Sequence, residues 1–351
     1  MDPNSISDIR DNFKNITFSG YQKSRVKKEL INCIYNCKIE SSCYWSVELI
    51  CAGHYSDLWE IVIFYMSKYV HTSNPKLPIY LKMRFDSFID IIEKGFKGNI
   101  LELRNNKKIR DLFCECICVM CYSKKTHSYE NVKINTEQEF NLTNIESRLQ
   151  APTIEYGSKL FRDEDPKQLL IPINELAYHI IKKNIIDCCY WVEWVIEYDI
   201  TCKKKKIKLT GNRREFAPTE CQRDIIWIVW ELLLEYSKVY SKISNKIIKS
   251  LLELFKIKYT NTTKRKRKHV IYFAISLLTE RIDYDIPISD NKEEIEEIMK
   301  KINTIYLQVK KNEKSPKTDY LFNGVEKSNF NKTIERLDIL NNMYENSDDD
   351  D

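Results

Sequence analysis

Apolar residues recur every three to four positions over long stretches of this chain, the spacing that lines one face of an α-helix. The first stretch starts near Ser24 and carries Leu30, Ile31, Ile34 and Tyr35. After a break at Lys38-Ile39-Glu40, Ser41-Ser42 stands where a cap would precede a helix holding Cys43, Tyr44, Trp45, Val47, Leu49 and Ile50. Gly53 suits the end of that helix, because glycine enters the left-handed conformation that closes helices. A third helix is predicted over 57–70, and Ser73-Asn74-Pro75 with Pro78 predicts a loop. Two more helices are predicted over 79–96, with Phe85, Phe88, Ile89 and Ile92, and over 106–122, with Leu112, Phe113, Cys116 and Met120. A second helical run covers 169–278.

Between these runs the chain is polar, which divides it. Residues 1–24 predict a flexible lead-in, 25–125 a first helical block, and 126–168 a linker or irregular connection. Residues 169–310 form a second helical block with basic segments. Residues 311–351 read as a polar tail, with one short helix possible at 331–343 and an acidic end, Asp348-Asp349-Asp350-Asp351.

The two blocks share ordered anchors. Leu30-Ile31-Asn32-Cys33-Ile34 precedes Cys43-Tyr44-Trp45, as Leu176-Ala177-Tyr178-His179-Ile180 precedes Cys189-Tyr190-Trp191, at a constant offset of 146. Further on, Arg110-Asp111-Leu112-Phe113 has its counterpart in Arg223-Asp224-Ile225-Ile226, at an offset of 113. The expected fold is therefore all-α, with ten to twelve helices in two duplicated helical blocks. These would form a multi-helix bundle or repeat-like array, with Trp45 and Trp191 in equivalent buried positions.

Composition narrows the class. Glycine is 7 of 351 residues, against a usual share of about 7%. That shortage argues against glycine-rich phosphate loops and hairpin-dense β folds. The 12 cysteines sit mostly inside apolar helical runs, as small hydrophobes of a reduced intracellular compartment. No apolar run reaches the ~18 residues of a membrane span, and residues 1–20 hold no signal-peptide core. The expectation is a chain with no membrane association.

Charge is the stronger signal. The net charge is +5, yet residues 203–268 hold 19 Lys and Arg against 6 Asp and Glu, a local net of +13. The expected nucleic-acid-binding residues are Lys203, Lys204, Lys205, Lys206 and Lys208, then Arg213 and Arg214, then Lys264, Arg265, Lys266, Arg267 and Lys268. Clustered cations are the footprint of phosphate-backbone binding, so DNA or another polyanion is the expected partner. The bland alternative is a solvated loop in a lysine-rich chain. Lys242, Lys246 and Lys249 fall on one helix face. Lys264 to Lys268 should lie at an exposed turn capped by Thr262 or Thr263, opposite a helix dipole that disfavours cations. No Asp or Glu occurs between Glu253 and Glu280 to neutralise them.

Other candidate chemistry is weaker. Cys114, Cys118 and Cys121 fall within about 60° on one helix face, with Cys116 nearly opposite, so the four cannot share one tetrahedral zinc. Three of them with His127 could, but packing in a buried helix is the plainer reading. The five histidines lack metalloprotease spacing, and no local signature marks a Cys–His nucleophile. Asp86 with Asp90, and Glu193 with Glu197, are i, i+4 carboxylate pairs that normally mark a solvated face. Trp191 with Trp194, and Trp227 with Trp230, read as core, since their flanks lack the basic residues of a base-stacking platform. No catalytic residue, metal or cofactor is expected.

Cys43-Tyr44-Trp45-Ser46, Gly53-His54-Tyr55 with Leu58-Trp59, and Asn74-Pro75-Lys76-Leu77 follow one another in a succession that resembles uncharacterised helical proteins of large nucleocytoplasmic DNA viruses. A weaker likeness is to the helical collar domain of clamp-loader AAA+ proteins. The ATP-binding Gly-x-x-x-x-Gly-Lys-Ser/Thr motif of such ATPases is absent. The resemblance implies a non-enzymatic viral DNA-associated or assembly factor, with other viral proteins as partners, in the host cytoplasm or a viral factory. The alternatives are a purely structural virion or scaffold protein and, more remotely, an enzyme.

Overall fold

The computed structural model describes residues 4–8, 13–94, 99–130, 132–140 and 144–313. Among the described residues the chain forms α-helices and no strand, only one isolated bridge between Ile16 and Gln22. The fold is all-α, as the periodicity predicts.

The N-terminal helices are α1 (Lys23–Tyr35), α2 (Ile39–Cys51), α3 (Tyr55–Tyr65), α4 (Leu77–Glu93), α5 (Ile100–Asn105) and α6 (Lys107–Tyr122). After the short α7 (Glu155–Ser158) come α8 (Leu170–Lys182), α9 (Ile185–Lys204), α10 (Ile226–Tyr240) and α11 (Lys242–Lys256). The chain then forms α12 (Thr263–Lys266), α13 (Lys268–Thr279) and α14 (Lys292–Lys310).

Local chemistry sets the boundaries. Asn106 caps α6 by accepting from the Lys108 amide at 2.8 Å. Gly53, at φ +74, ends α2 with its amide on Ile50 O and the His54 amide on Leu49 O, both at 2.9 Å. Three local expectations fail. Pro78 lies in the first turn of α4, where its missing N–H costs nothing, so it starts a helix instead of marking a loop. Ser42 lies inside α2, its hydroxyl donating to Lys38 O at 2.8 Å, and caps nothing. The helix predicted to run to Val70 ends at Tyr65 and continues as a π-helical turn over Met66–Val70.

One core runs through both blocks. Every residue from His269 to Thr279 is buried, because α13 is apolar around most of its circumference. It packs on α8, α9, α10 and α11 and reaches α3, while α4 packs along α11. The proposed boundaries therefore need correction. Ile6, Phe13 and Phe18 of the lead-in are buried, and the Ser7 and Asp8 amides donate to Glu313 Oε1 at 2.6 and 2.7 Å. The connection is laced to the second block: Trp194 Nε1 donates to Glu139 O at 2.8 Å, and Glu175 accepts from the Gln150 and Ala151 amides at 3.0 Å. α14, assigned to the second block, packs on α2 and α6 of the first. The helix expected at 331–343 and the acidic end lie outside the described residues.

The 146 offset survives in one place. Cys37 and Lys183 both take positive φ, at 54° and 58°. Cys37 N bonds Ile34 O and Lys38 N bonds Cys33 O, and Lys183 N bonds Ile180 O and Asn184 N bonds His179 O. The α1–α2 and α8–α9 hairpins thus turn through the same hydrogen bonds at equivalent positions. The likeness stops there. Arg110-Asp111 lies within α6, whereas Arg223-Asp224 precedes α10. Trp45 is half-buried against Tyr21 and Tyr44, whereas Trp191 is 1% exposed beside Trp194. The equivalence expected for these two tryptophans is not found.

Candidate polyanion interface

α9 carries the chemistry at one end of the second block. Lys203 and Lys204 occupy its last turn, where cations complement the helix dipole. The helix closes with Lys206 at φ +59, its amide on Lys203 O at 3.0 Å and the Ile207 amide on Cys202 O at 2.8 Å. In a glycine-poor chain, a lysine holds this left-handed position. The turn sends the chain back, so Lys208 borders the same cleft as Lys203. Lys203, Lys204, Lys205, Lys206 and Lys208 are all exposed.

The opposite wall is a loop held from below. Asp165 Oδ1 accepts from the Asn212 amide at 2.8 Å, and its two oxygens meet Arg214 Nη1 and Nη2 at 2.5 and 2.7 Å. Arg214 Nε adds a bond to Glu231 Oε2 at 3.0 Å. Burial would raise the Asp165 carboxyl, but Arg214 and the amides of Arg162 and Asn212 hold it below the ordinary value. Gly211 permits this approach, since a Cβ there would meet Asp165 Oδ1 at 3.0 Å. The clamped loop presents Arg213, which bonds Gln222, and Arg223, which lies 3.4 Å from Glu164. Lys203, Lys208, Arg213 and Arg223 line a cleft of about 600 Å³, together with Asp199, Glu220 and Asp224.

Beneath the cleft, Lys264 Nζ lies 2.6 Å from both Asp199 Oδ2 and Asp224 Oδ1. Lys203 Nζ lies 2.6 Å from Asp199 Oδ2 as well, so the two basic runs converge on one carboxylate. Tyr259 donates to Asp224 Oδ2 at 3.1 Å, and burial followed by Asp224 raises its phenol.

The twelve predicted residues therefore divide. Lys203, Lys208 and Arg213 line the cleft, Lys204, Lys205 and Lys206 are exposed at the end of α9 without lining it, and Lys266 is exposed elsewhere. Arg265 is exposed but lies 3.4 Å from Glu197. Lys268 is half-buried, 2.5 Å from Glu193 Oε1, which also accepts from Tyr272. Arg214, Lys264 and Arg267 are buried and cannot touch a nucleic-acid backbone. Burial lowers the Arg267 guanidinium from its ordinary value.

The exposed turn predicted for 264–268 is corrected with them. It is α12 and the start of α13, zipped to Glu193, Glu197 and Asp199 of α9. Glu193, expected on a solvated face, is 2% exposed. Thr262 makes no capping bond, and Thr263 Oγ1 instead accepts from the Thr260 amide at 2.9 Å. Lys242, Lys246 and Lys249 are exposed on α11, as their spacing predicts. Arg223 joins the cleft without having been assigned to it, although it shares the charge-rich loop with Arg213.

Cys221 also lines the cleft. Partial burial, then Asp224 and Glu220, raise its thiol, the reverse of what an activated nucleophile requires. On α6, Cys118 Sγ faces Cys43 Sγ at 3.8 Å and Cys121 Sγ faces Ser42 Oγ at 3.7 Å. Among the described residues no cluster of three or more His, Cys, Asp or Glu could hold a metal, and no helix is long and apolar enough to cross a membrane. No protein-family model, curated protein or solved structure matches the chain.

Proposed function

We propose that this protein is a non-enzymatic DNA-associated or assembly factor that engages a polyanion through the cleft at the end of α9. The observation that carries the reading is that Lys203, Lys208, Arg213 and Arg223 line one cleft, on a turn and a clamped loop, with Lys204, Lys205 and Lys206 exposed in the chain between Lys203 and Lys208. Preordered cations lose little freedom on meeting phosphates, and each contact releases condensed counterions. Helical surfaces would meet protein partners, which for a viral factor are other viral proteins.

The test is an anisotropy titration with single-stranded and duplex DNA between about 50 and 200 mM salt. Wild type is compared with a variant carrying Gln at Lys204, Lys205, Lys206, Lys208 and Arg213. The variant should bind at least tenfold more weakly at low salt. Its log–log salt slope should be shallower by about 0.7–0.9 per lost phosphate contact. A control with Gln at Lys242, Lys246 and Lys249 should change little. Equal affinity and slope for wild type and the five-site variant overturn the reading.

A purely structural scaffold role is favoured by a different observation. Ile181, Ile186, Val239 and Tyr240 are exposed at the ends of α8, α9 and α10, with Val239 at 87%. Where such groups adjoin in one contiguous patch they mark protein contacts. Self-association or partner capture that is lost on Val239→Glu, with no DNA binding by wild type, would select this role.

A further inference from the structure

Two clefts share Glu60 and Arg267 as wall residues. The larger, about 350 Å³, lies between α3, α4 and the end of α11 and is walled by Tyr55, Trp59, Phe85 and Phe88. The other, about 310 Å³, continues past Glu60 and Arg267 to Phe64 and Lys266. Both sit where the N-terminal helices meet the second block, a common place for ligand sites.

Arg267 is an unusual wall residue. It is 7% exposed, and Nη1 donates to Phe255 O at 2.8 Å and Ile257 O at 2.6 Å, with Leu254 O at 3.4 Å. These acceptors are neutral carbonyls at the end of α11. Among the described residues Arg267 forms no ion pair, unlike buried Lys264 and Arg214. Its charge is met by the α11 carbonyls and, without direct pairing, by Glu60, which lines both clefts, so an anion in the cleft would supply the close counter-charge that is missing.

Two further observations point the same way. Trp59 Nε1 and Tyr55 Oη are buried in the aromatic wall with no hydrogen-bond partner among the described residues. Lys258 holds a positive φ of 45°, where glycine would be unstrained, and its ammonium reaches Ser56 Oγ across the cleft. Lys258, Lys266 and Arg267 line the two clefts with one carboxylate, Glu60, while Lys27, also on the wall, is paired with Asp57 at 2.6 Å and lies 3.7 Å from Glu60.

We propose that this cleft binds an amphipathic organic anion. A flat aromatic or short acyl body would lie against Trp59, Phe85 and Phe88, and a carboxylate, sulfonate or phosphate head would meet Arg267 and Lys258. The site shares no wall residue with the polyanion cleft and stands independently of that reading.

The test uses the full chain with 1-anilinonaphthalene-8-sulfonate and its neutral analogue N-phenyl-1-naphthylamine as fluorescent probes. The sulfonate should bind saturably at one site, at least tenfold more tightly than the neutral dye. Lys258→Gln should weaken the sulfonate at least threefold and leave the neutral dye unchanged. Ile89→Trp, which fills the cleft from α4, should weaken both. Circular dichroism and thermal midpoints establish that each variant is folded, so the outcome does not depend on replacing Arg267. Equal affinity for the two dyes, absence of saturable sulfonate binding, or binding indifferent to both substitutions overturns the proposal.

Discussion

Lys203 and Lys264 place their ammonium groups 2.6 Å from the same oxygen, Asp199 Oδ2. One lysine stands at the cleft rim and the other is buried beneath it, so a single carboxylate orients a surface cation and neutralises an interior one. Asp224 completes the arrangement on the far side of Lys264, also at 2.6 Å. The charge of Lys264 is thus neutralised inside the fold, whereas Arg265 and Lys266 of the same run stay exposed.

Lys264→Met should therefore be costly, despite its place in a surface-like basic run. It strands Asp199 and Asp224 with fewer partners in a buried setting, a loss of about 3–5 kcal/mol. Urea unfolding of wild type and variant measures it. A loss below about 1 kcal/mol would mean that Lys264 is solvated in solution.

The tryptophans predict an asymmetry where the sequence pattern suggests a symmetry. Trp191→Ala should lose about 3–5 kcal/mol, because that ring is fully packed. Trp45→Ala should lose less, since its ring is only half-buried beside Tyr21. Equal losses in denaturant unfolding would restore the equivalence.

Lys183 is exposed and holds φ +58, a conformation that strains any residue with a Cβ. Lys183→Gly should stabilise the protein by about 0.5–1 kcal/mol, the relieved strain exceeding the added freedom of the unfolded chain. Cys37→Gly should gain less, because Cys37 Sγ donates to Cys121 O at 3.1 Å and accepts from Lys125 Nζ at 3.2 Å. Thermal midpoints compare the two, and a neutral or destabilising Lys183→Gly would refute the expectation.

Burial pulls His71 to about 3 and His269 to about 4, both below their ordinary value. The unfolded chain then binds protons that the fold excludes. Each histidine contributes stability that is whole above pH of about 6.5 and lost as pH falls toward its folded value. The loss approaches about 1.4 kcal/mol per pH unit for each. Asp57, Asp165 and Glu175, held low by their partners, add a loss of the same sign at lower pH. Guanidinium midpoints from pH 7.5 to 5 should decline, and His71→Asn, which tolerates positive φ, should flatten the slope. An unchanged slope would place His71 in water.

Periodicity alone determined that this chain is helical, where most helices run, and that Trp191, Trp194, Trp227 and Trp230 are core. These are properties of a local repeat, legible without knowing any neighbour. The 146 offset between anchors was legible as well, and the structure shows what it marks, two hairpin turns whose hydrogen bonds close within six residues. Pro78 escaped because one residue serves both loops and helix starts. The lead-in and the connection escaped because a few anchors, such as Phe18 and Glu139, tie polar segments to a core made elsewhere.

The basic cluster shows the division most sharply. Its sequence determined how much positive charge is present, but only the tertiary structure decided which part faces water. Lys264 and Lys266 are near neighbours of the same type, yet one is buried between two aspartates and the other is exposed. Asp199 and Asp224 lie on other elements, and an ion pair across elements has no spacing rule to betray it. Coulomb attraction depends on distance in space, and folding sets that distance independently of separation along the chain.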